Sequence, residues 1–387
     1  MMKETNLNVE SVPKELLFLL ELLKEEPSIH IVDVKMIDWS LFLDLTLHHR
    51  LYPLLHQRIK EMDFIPSEVK KQLASYYKKN TFQMLKLSAE MSRVNATFKE
   101  SDIPIIFLKG PNLAHDLYGD LSLRTCSDLD VLIPISELKK AEELLSLHGY
   151  IKDDYIETIL GDWSWRHHHI TFFHKEKGVK LEIHWRLNPG PAFEPSFDQL
   201  WKHKRTSSLL KEPLYILGKE DLLFFLVTHG ARHGWSRLRW LCDIQQMLKA
   251  DLNWREVMKK MKKYHVEKVG GQAFLLAEGL LDSRLPKYAN RIADNKSLKL
   301  AQEAIFYLER MVNLHTDPVP KDVSKYHGSH LFSLMSPQQK FLSMLCWLFP
   351  YPEDAETLPL PKLLHFLYFP LRPMLWAWRK SRRQIVS

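Results

Sequence analysis

The sequence predicts an α+β fold: a small mixed sheet with its own helices, flanked by helical N- and C-terminal parts. Three observations predict it. Apolar residues recur at helical spacing through the first hundred residues. Short β-branched runs bounded by turn residues replace that pattern between 103 and 185, and helical periodicity returns from 219 onward. These changes divide the 387 residues into a helical N-terminal domain (1–100), a mixed core (101–218) and a helical C-terminal domain with a basic tail (219–387).

Residues 13–24 set Leu16, Leu17, Leu20 and Leu23 at helical spacing, with Pro13 at the helix start, where a missing N–H costs little. The spacing continues over 39–62 and 67–98, punctuated by Pro53 and Pro66. At 103–108 the run Ile-Pro-Ile-Ile-Phe-Leu is short, β-branched and followed by Lys109-Gly110-Pro111, which reads as a buried strand ending in a turn. A short helix is expected over 112–118, a second strand over 129–133, and a helix over 136–148 capped by Ser136. Residues 170–173 and 179–185 read as strands joined by a hairpin turn at Lys175-Glu-Lys-Gly178. Helices follow over 219–232, 235–250, 254–265 and 297–314, and the proline-rich, polar stretch 313–337 reads as a long loop.

With 45% hydrophobic residues and no low-complexity tract or solenoid repeat, the composition is globular and not disordered. Cys126, Cys242 and Cys346 are odd in number and far apart, so they form neither a disulfide framework nor a zinc pattern and point to a reducing, cytoplasmic compartment. The N-terminus lacks the apolar core of a signal peptide, and no apolar run is long enough to span a bilayer. The net charge of +7 is uneven: no acidic residue follows Glu356, whereas Lys362, Arg372, Arg379, Lys380, Arg382 and Arg383 do. The rest of the chain is nearly neutral, which gives no support to duplex nucleic acid as a partner. Residues 363–383 mix aromatics with cations, and Pro370, Pro373 and the basic residues exclude a spanning helix. The segment reads as a packed helix whose Leu375, Trp376 and Trp378 cover the core, with a solvated basic tail, in preference to a peripheral membrane anchor.

Asp128-Leu-Asp130 opens the second expected strand. Strand alternation points Asp128 and Asp130 one way and sends Leu129 and Val131 into the core. Two carboxylates so placed repel unless a cation lies between them, and hard divalent cations such as Mg²⁺ prefer such oxygen ligands. Glu182, in Val179-Lys-Leu-Glu-Ile-His-Trp185, is a third acid on a later strand. If the strands pair, the three acids converge on one face, as a two-metal site requires. A lone Asp-x-Asp usually marks a solvated strand end; the company of Lys109-Gly110, Arg124 and the later acid points to chemistry. His184 faces the same side as Glu182, where it orients the acid, contacts an acceptor or packs. His229 and His233 stand i, i+4 on a helix but lack the glutamate of His-Glu-x-x-His and a third zinc ligand, so they read as core or substrate-side histidines. Adjacent strand residues alternate, so at most two of His167-His168-His169 share an ion, and the run reads as a loop entering a strand. Arg124, Arg232 and Arg237 are candidates for phosphate contact, and Arg124 is preferred.

Phe107-Leu-Lys-Gly110, Leu113-Ala114, Tyr118, Arg124 and Ser127-Asp-Leu-Asp-Val131, followed by Leu181-Glu-Ile-His-Trp185, resemble the bacterial uncharacterised nucleotidyltransferase family of the DNA-polymerase-β-like superfamily. The resemblance runs from 103 to 248 and takes in Thr228-His-Gly-Ala-Arg-His233 and Arg237-Leu-Arg-Trp-Leu-Cys-Asp243. It implies a polymerase-β-like core that transfers a nucleoside monophosphate from an NTP, with ATP expected, to an unidentified acceptor, releasing pyrophosphate. A natural-product peptide, a sugar or another small molecule would serve as acceptor. Asp128, Asp130 and Glu182 would be catalytic and hold Mg²⁺ or Mn²⁺, two ions in the active complex. Lys109, Gly110 and Arg124 would hold phosphates, and His184, His229, His233 and Arg237 are candidate substrate contacts. The superfamily's Gly-Ser turn is Gly110-Pro111 here, which leaves Lys109 as a point charge in place of the missing hydroxyl. Glu182 stands where members often carry Asp. Two alternatives are a phosphotransferase using the same site and a catalytically silent nucleotide-binding scaffold.

Overall fold

The computed structural model describes residues 7–28, 34–153, 156, 158–314, 316 and 318–385. Among them seven strands form one mixed sheet: β1 (Ile106–Lys109), β2 (Asp128–Leu132), β3 (Ile151–Lys152), β4 (His169–His174), β5 (Val179–His184), β6 (Arg205–Ser207) and β7 (Leu214–Ile216). Their order across the sheet is β3-β4-β5-β2-β1-β7-β6. The central pair β2 and β5 is parallel, with Asp130 opposite Glu182, and β1 runs antiparallel to β2. The expected hairpin joins β4 to β5 through Lys175–Gly178, where Gly178 adopts φ +53°.

The helices are α1 (Lys14–Leu23), α2 (Trp39–His48), α3 (Tyr52–Ile59), α4 (Ser67–Glu100), α5 (Pro111–Tyr118), α6 (Leu138–Leu147), α7 (Trp163–Arg166) and α8 (Phe197–His203). After the last strand come α9 (Lys219–Arg232), α10 (Leu238–Lys249), α11 (Trp254–Lys263), α12 (Glu267–Leu281), α13 (Asn295–Glu309), α14 (Lys321–Leu334), α15 (Pro337–Cys346), α16 (Pro352–Thr357) and α17 (Tyr368–Ile385).

Side-chain alternation divides the sheet between two cores. Phe107, Leu129, Val131, Leu181 and Ile183 bury against α6 and the later turns of α4, through Met84, Leu87 and Met91. Ile106, Leu108 and Leu132 join a second, larger core that also holds Phe18 and Phe42 of the N-terminal helices and Phe225, Trp235 and Phe274 beyond the sheet. Helices α1–α3 and α9–α14 therefore share one apolar interior. Asp128, Asp130 and Glu182 lie on the sheet face turned towards that second core.

Several local expectations are corrected. The helical stretch 39–62 is broken into α2 and α3 by Arg50 at φ +60°, with Pro53 in the first turn of α3. Ser136 does not cap a helix; it sits in a 3-10 turn that leads into α6, which has no side-chain cap. The stretch 313–337 contains α14, whose inward residues Val323, His330 and Leu334 are too few and too polar to announce a helix. Strands β3, β6 and β7 are two or three residues long, too short to show a period of two. At the C-terminus α17 packs on α16 with Tyr368, Arg372 and Leu375 buried, but Trp376 and Trp378 remain 42% and 45% exposed. Of the three residues expected to cover the core there, only Leu375 is buried, and it lies outside the apolar cores of the sheet. No described helix is long and apolar enough to cross a membrane.

Candidate active site

The parallel register of β2 and β5 sets Asp128 opposite Lys180, Asp130 opposite Glu182 and Leu132 opposite His184. Because alternation turns every second side chain to one face, Asp128, Asp130, Lys180, Glu182 and His184 share that face. The three sequence-predicted acids are thus brought together. Lys109 arrives from β1 by a local irregularity. Strict alternation would put it on the side of Phe107, but the register slips between Phe107 and Lys109, and Lys109 Nζ reaches Asp130 Oδ1 at 2.9 Å.

The cluster balances its charges internally. Lys180 Nζ lies 2.6 Å from Glu182 Oε1 and 3.8 Å from Asp128 Oδ2. His184 Nε2 stands between two acids, 3.2 Å from Asp130 Oδ1 and 3.5 Å from Glu182 Oε2. Burial alone would raise Asp130 and Glu182, but Lys109 and His184 reverse this for Asp130, and His184 chiefly does so for Glu182; both end below the ordinary carboxylate range. Asp128 goes the other way, raised by burial and by the adjacent Asp130 charge. His184 is raised despite burial, because its two carboxylate partners favour the imidazolium.

Whether these residues suit a divalent cation is tested by one atom: Asp130 Oδ2 is buried without a hydrogen-bond partner. An anionic oxygen left so in a protein interior is costly, and a cation is its natural complement. Asp130, Glu182 and His184 each offer a ligand atom, all within 4.8 Å of one another. The carboxylates fit Mg²⁺ or Mn²⁺ once Lys109 and Lys180 yield their positions, and His184 can add a ligand only after its Nε2 proton leaves.

At the end of β1, Gly110 takes φ +111°, a conformation that favours glycine, and a Cβ there would lie 3.3 Å from Leu129 Cδ2. The turn opens α5, whose N-terminus follows directly on Lys109. Arg124 stands elsewhere. It is buried, and its Nε and Nη2 donate to Asp243 Oδ1 and Oδ2 at 3.0 and 2.9 Å, while Tyr118 donates to the same carboxylate at 2.9 Å. Its guanidinium is committed to α10 and not turned to the acids. Arg237 is likewise spent, on His48 at 2.7 Å and Asn313 at 2.9 Å.

The arginine that does border the acids is Arg232, at the end of α9. Its Nη1 donates to His168 Nε2 at 2.7 Å and its Nη2 to His229 Nδ1 at 3.2 Å, while its Nε is buried without a partner. Burial brings its pKa down to about 10, with Glu182 and Asp130 among the charges that counter the fall. His229 is kept neutral, first by burial and then by the charge of Lys109. His233 lies 4.6 Å from the His229 ring, beside Trp240. His169 opens β4 opposite His184, their rings stacked at 4.9 Å, and burial with the His184 charge pushes it down to about 3.

Sequence reasoning passes over Lys180 and ranks Arg232 below Arg124. Lys180 is detectable, since it sits two residues before Glu182 and alternation gives both one face. Arg232 carries no such signal, because His168, which ties it to the sheet, is 64 residues away in sequence.

A mixed sheet with carboxylates aligned on two adjacent parallel strands, closed by helices on both faces, is consistent with a nucleotidyltransferase-like core. The chain belongs to the uncharacterised nucleotidyltransferase family, whose profile matches residues 35–282. No curated protein and no solved structure matches it significantly.

Proposed function

We propose that the protein transfers a nucleoside monophosphate from an NTP, ATP being the expected donor, to the hydroxyl of an unidentified acceptor, releasing pyrophosphate. The observation that carries this reading is the in-register pairing of Asp130 with Glu182, with Asp128 on the same face and Asp130 Oδ2 unpartnered. Asp128, Asp130 and Glu182 would hold Mg²⁺ or Mn²⁺, two ions in the active complex. Bound there, such ions lower the pKa of an attacking hydroxyl and neutralise charge on the leaving pyrophosphate.

The chain's own residues position and neutralise, which is most of what phosphoryl chemistry asks of a protein. Glu182 stands by the acceptor side as ligand or proton acceptor, and His184 orients it together with Asp130. Lys109 moves from Asp130 to a phosphate oxygen when substrate enters, beside the Gly110 turn. Arg232 takes the phosphate role that sequence alone suggests for Arg124, because it borders the acids and keeps an unpartnered donor. Arg124 serves as a positioning residue. The free thiols of Cys126, Cys242 and Cys346 support a cytoplasmic setting.

The test supplies ATP labelled at the α- or the γ-phosphate, with a cell extract as source of acceptor. α-Label in an extract-dependent product is expected. γ-Label would make the protein a phosphotransferase, and transfer of neither label would make it a nucleotide-binding scaffold.

A further inference from the structure

The outer face of α17 reverses what a helix in water ordinarily presents. Tyr368, Arg372 and Leu375 point inward; Met374, 68% exposed, and Trp378 share one exposed flank, and the exposed Trp376 stands on the other. A surface helix normally turns its polar residues outward. The apolar surface continues onto the turn 362–367, where Leu363 is 89% and Phe366 61% exposed. It also reaches Trp347, whose ring packs 5.9 Å from that of Trp376.

On α17 and the turn before it the exposed charge is positive, and the nearest exposed acids, Glu353 and Glu356, belong to the neighbouring α16. Buried Asp354 takes Arg372 at 2.7 Å and Arg379 at 2.6 Å, so these two arginines fasten the helix down. No acidic residue follows Glu356 in the sequence. Lys362 and Lys380 are exposed, Lys380 over the Trp376 ring at 4.9 Å, and Arg382 and Arg383 come next along the chain. Exposed tryptophans and aliphatic side chains with Lys362 and Lys380 among them complement an anionic bilayer surface: rings settle at headgroup depth and lysines reach lipid phosphates.

We propose that α17 and the turn before it form a peripheral docking surface for an anionic phospholipid bilayer, on which the protein lies without crossing. The surface is tied to the mixed sheet: the Arg166 guanidinium of α7 sits 4.5 Å from the Tyr351 ring, Trp165 lies 6.2 Å from Phe349, and Trp185, just after β5, donates to Ser164 O at 2.7 Å. A docked tail therefore carries the acidic site with it.

The experiment sediments the full-length protein with phosphatidylcholine vesicles, with and without phosphatidylserine. Binding is expected only with phosphatidylserine, and it should fall steeply in about 1 M salt, where the screening length drops to ~3 Å. Two variants, Trp376→Ala/Trp378→Ala and Lys362→Glu/Lys380→Glu, should each weaken partitioning by roughly tenfold or more with unchanged circular dichroism. The charge-reversal variant replaces only exposed lysines, so it remains informative if the tryptophan variant misfolds. Absence of binding, equal binding to both vesicle types, or wild-type binding by the charge-reversal variant would overturn the proposal. So would self-association in the ultracentrifuge that the same variants abolish, since that assigns the face to a second copy of the chain.

Discussion

Lys109 Nζ stands 2.9 Å from Asp130 Oδ1, so the lysine expected to grip phosphate rests instead on a carboxylate of the candidate metal site. One cation holds the place that another must take. Lys109→Met should therefore tighten Mn²⁺ binding to the nucleotide-free protein while weakening NTP binding by about 1–3 kcal/mol, the worth of a charge-assisted contact. Electron paramagnetic resonance of Mn²⁺ reads the first effect and equilibrium dialysis the second. Unchanged values for both would remove Lys109 from the site.

Asp128 and Asp130 should separate when replaced. Either Asp→Asn change is expected to lower turnover at least ~10²-fold, as loss of a principal electrostatic group does. Their stabilities should diverge. Asp128 has a raised pKa, so ionising it costs stability as pH rises through that value, and D128N should melt at or above the wild-type temperature at neutral pH. Asp130 is lowered and braces Lys109 and His184, so D130N should lose about 3 kcal/mol. Thermal melts in chelator, beside an activity assay, test both statements.

The two arginines are told apart by the same pair of measurements. Asp243→Asn or Arg124→Gln strands a buried charge and should cost roughly 3–5 kcal/mol, with NTP affinity of the folded protein unchanged. Arg232→Gln should weaken NTP affinity by about tenfold or more and leave the Mn²⁺ affinity of the nucleotide-free protein within about twofold. A drop in affinity for the Arg124 variant and none for the Arg232 variant would restore the sequence ranking.

The pH dependence of the metal-free protein follows from His184. Its folded pKa lies above the ordinary histidine value of 6.5, so it contributes stability that is full below 6.5 and lost as pH rises through the raised value. Asp130 and Glu182 act in the opposite window: both are lowered, so their contribution is full above the ordinary carboxylate range and lost as pH falls through the lowered values. Melting temperature should thus decline as pH rises from 6.5 upward, and His184→Gln should flatten that limb. A parallel decline in the variant would place its origin elsewhere.

The acidic face is legible in the sequence because alternation needs only neighbours: Leu129 and Val131 take one face, so Asp128 and Asp130 must share the other. The same rule reaches Glu182, His184 and Lys180, though a lysine near a strand start reads as solvated surface. It fails for Lys109, since the slip in register between Phe107 and Lys109 leaves no mark on residue types. It is silent on Arg124, whose partner Asp243 is 119 residues away. Helix α9 is readable to its ends because ten of its residues bury around one apolar body, whereas α14 turns three inward and hides in polar sequence.

The segment before β2 is strapped from two sides. Asn80 of α4 donates to Ser122 O at 2.8 Å, and Arg239 of α10 donates to Thr125 O at 2.8 Å, in addition to the Arg124–Asp243 clamp. The helices after the sheet are thus riveted to the strand that carries Asp128 and Asp130. They hold that strand from the side of α10, and the acids keep their stance against it. Any yielding that the proposed acceptor would require then falls to the opposite side, where α7 is a single turn of helix.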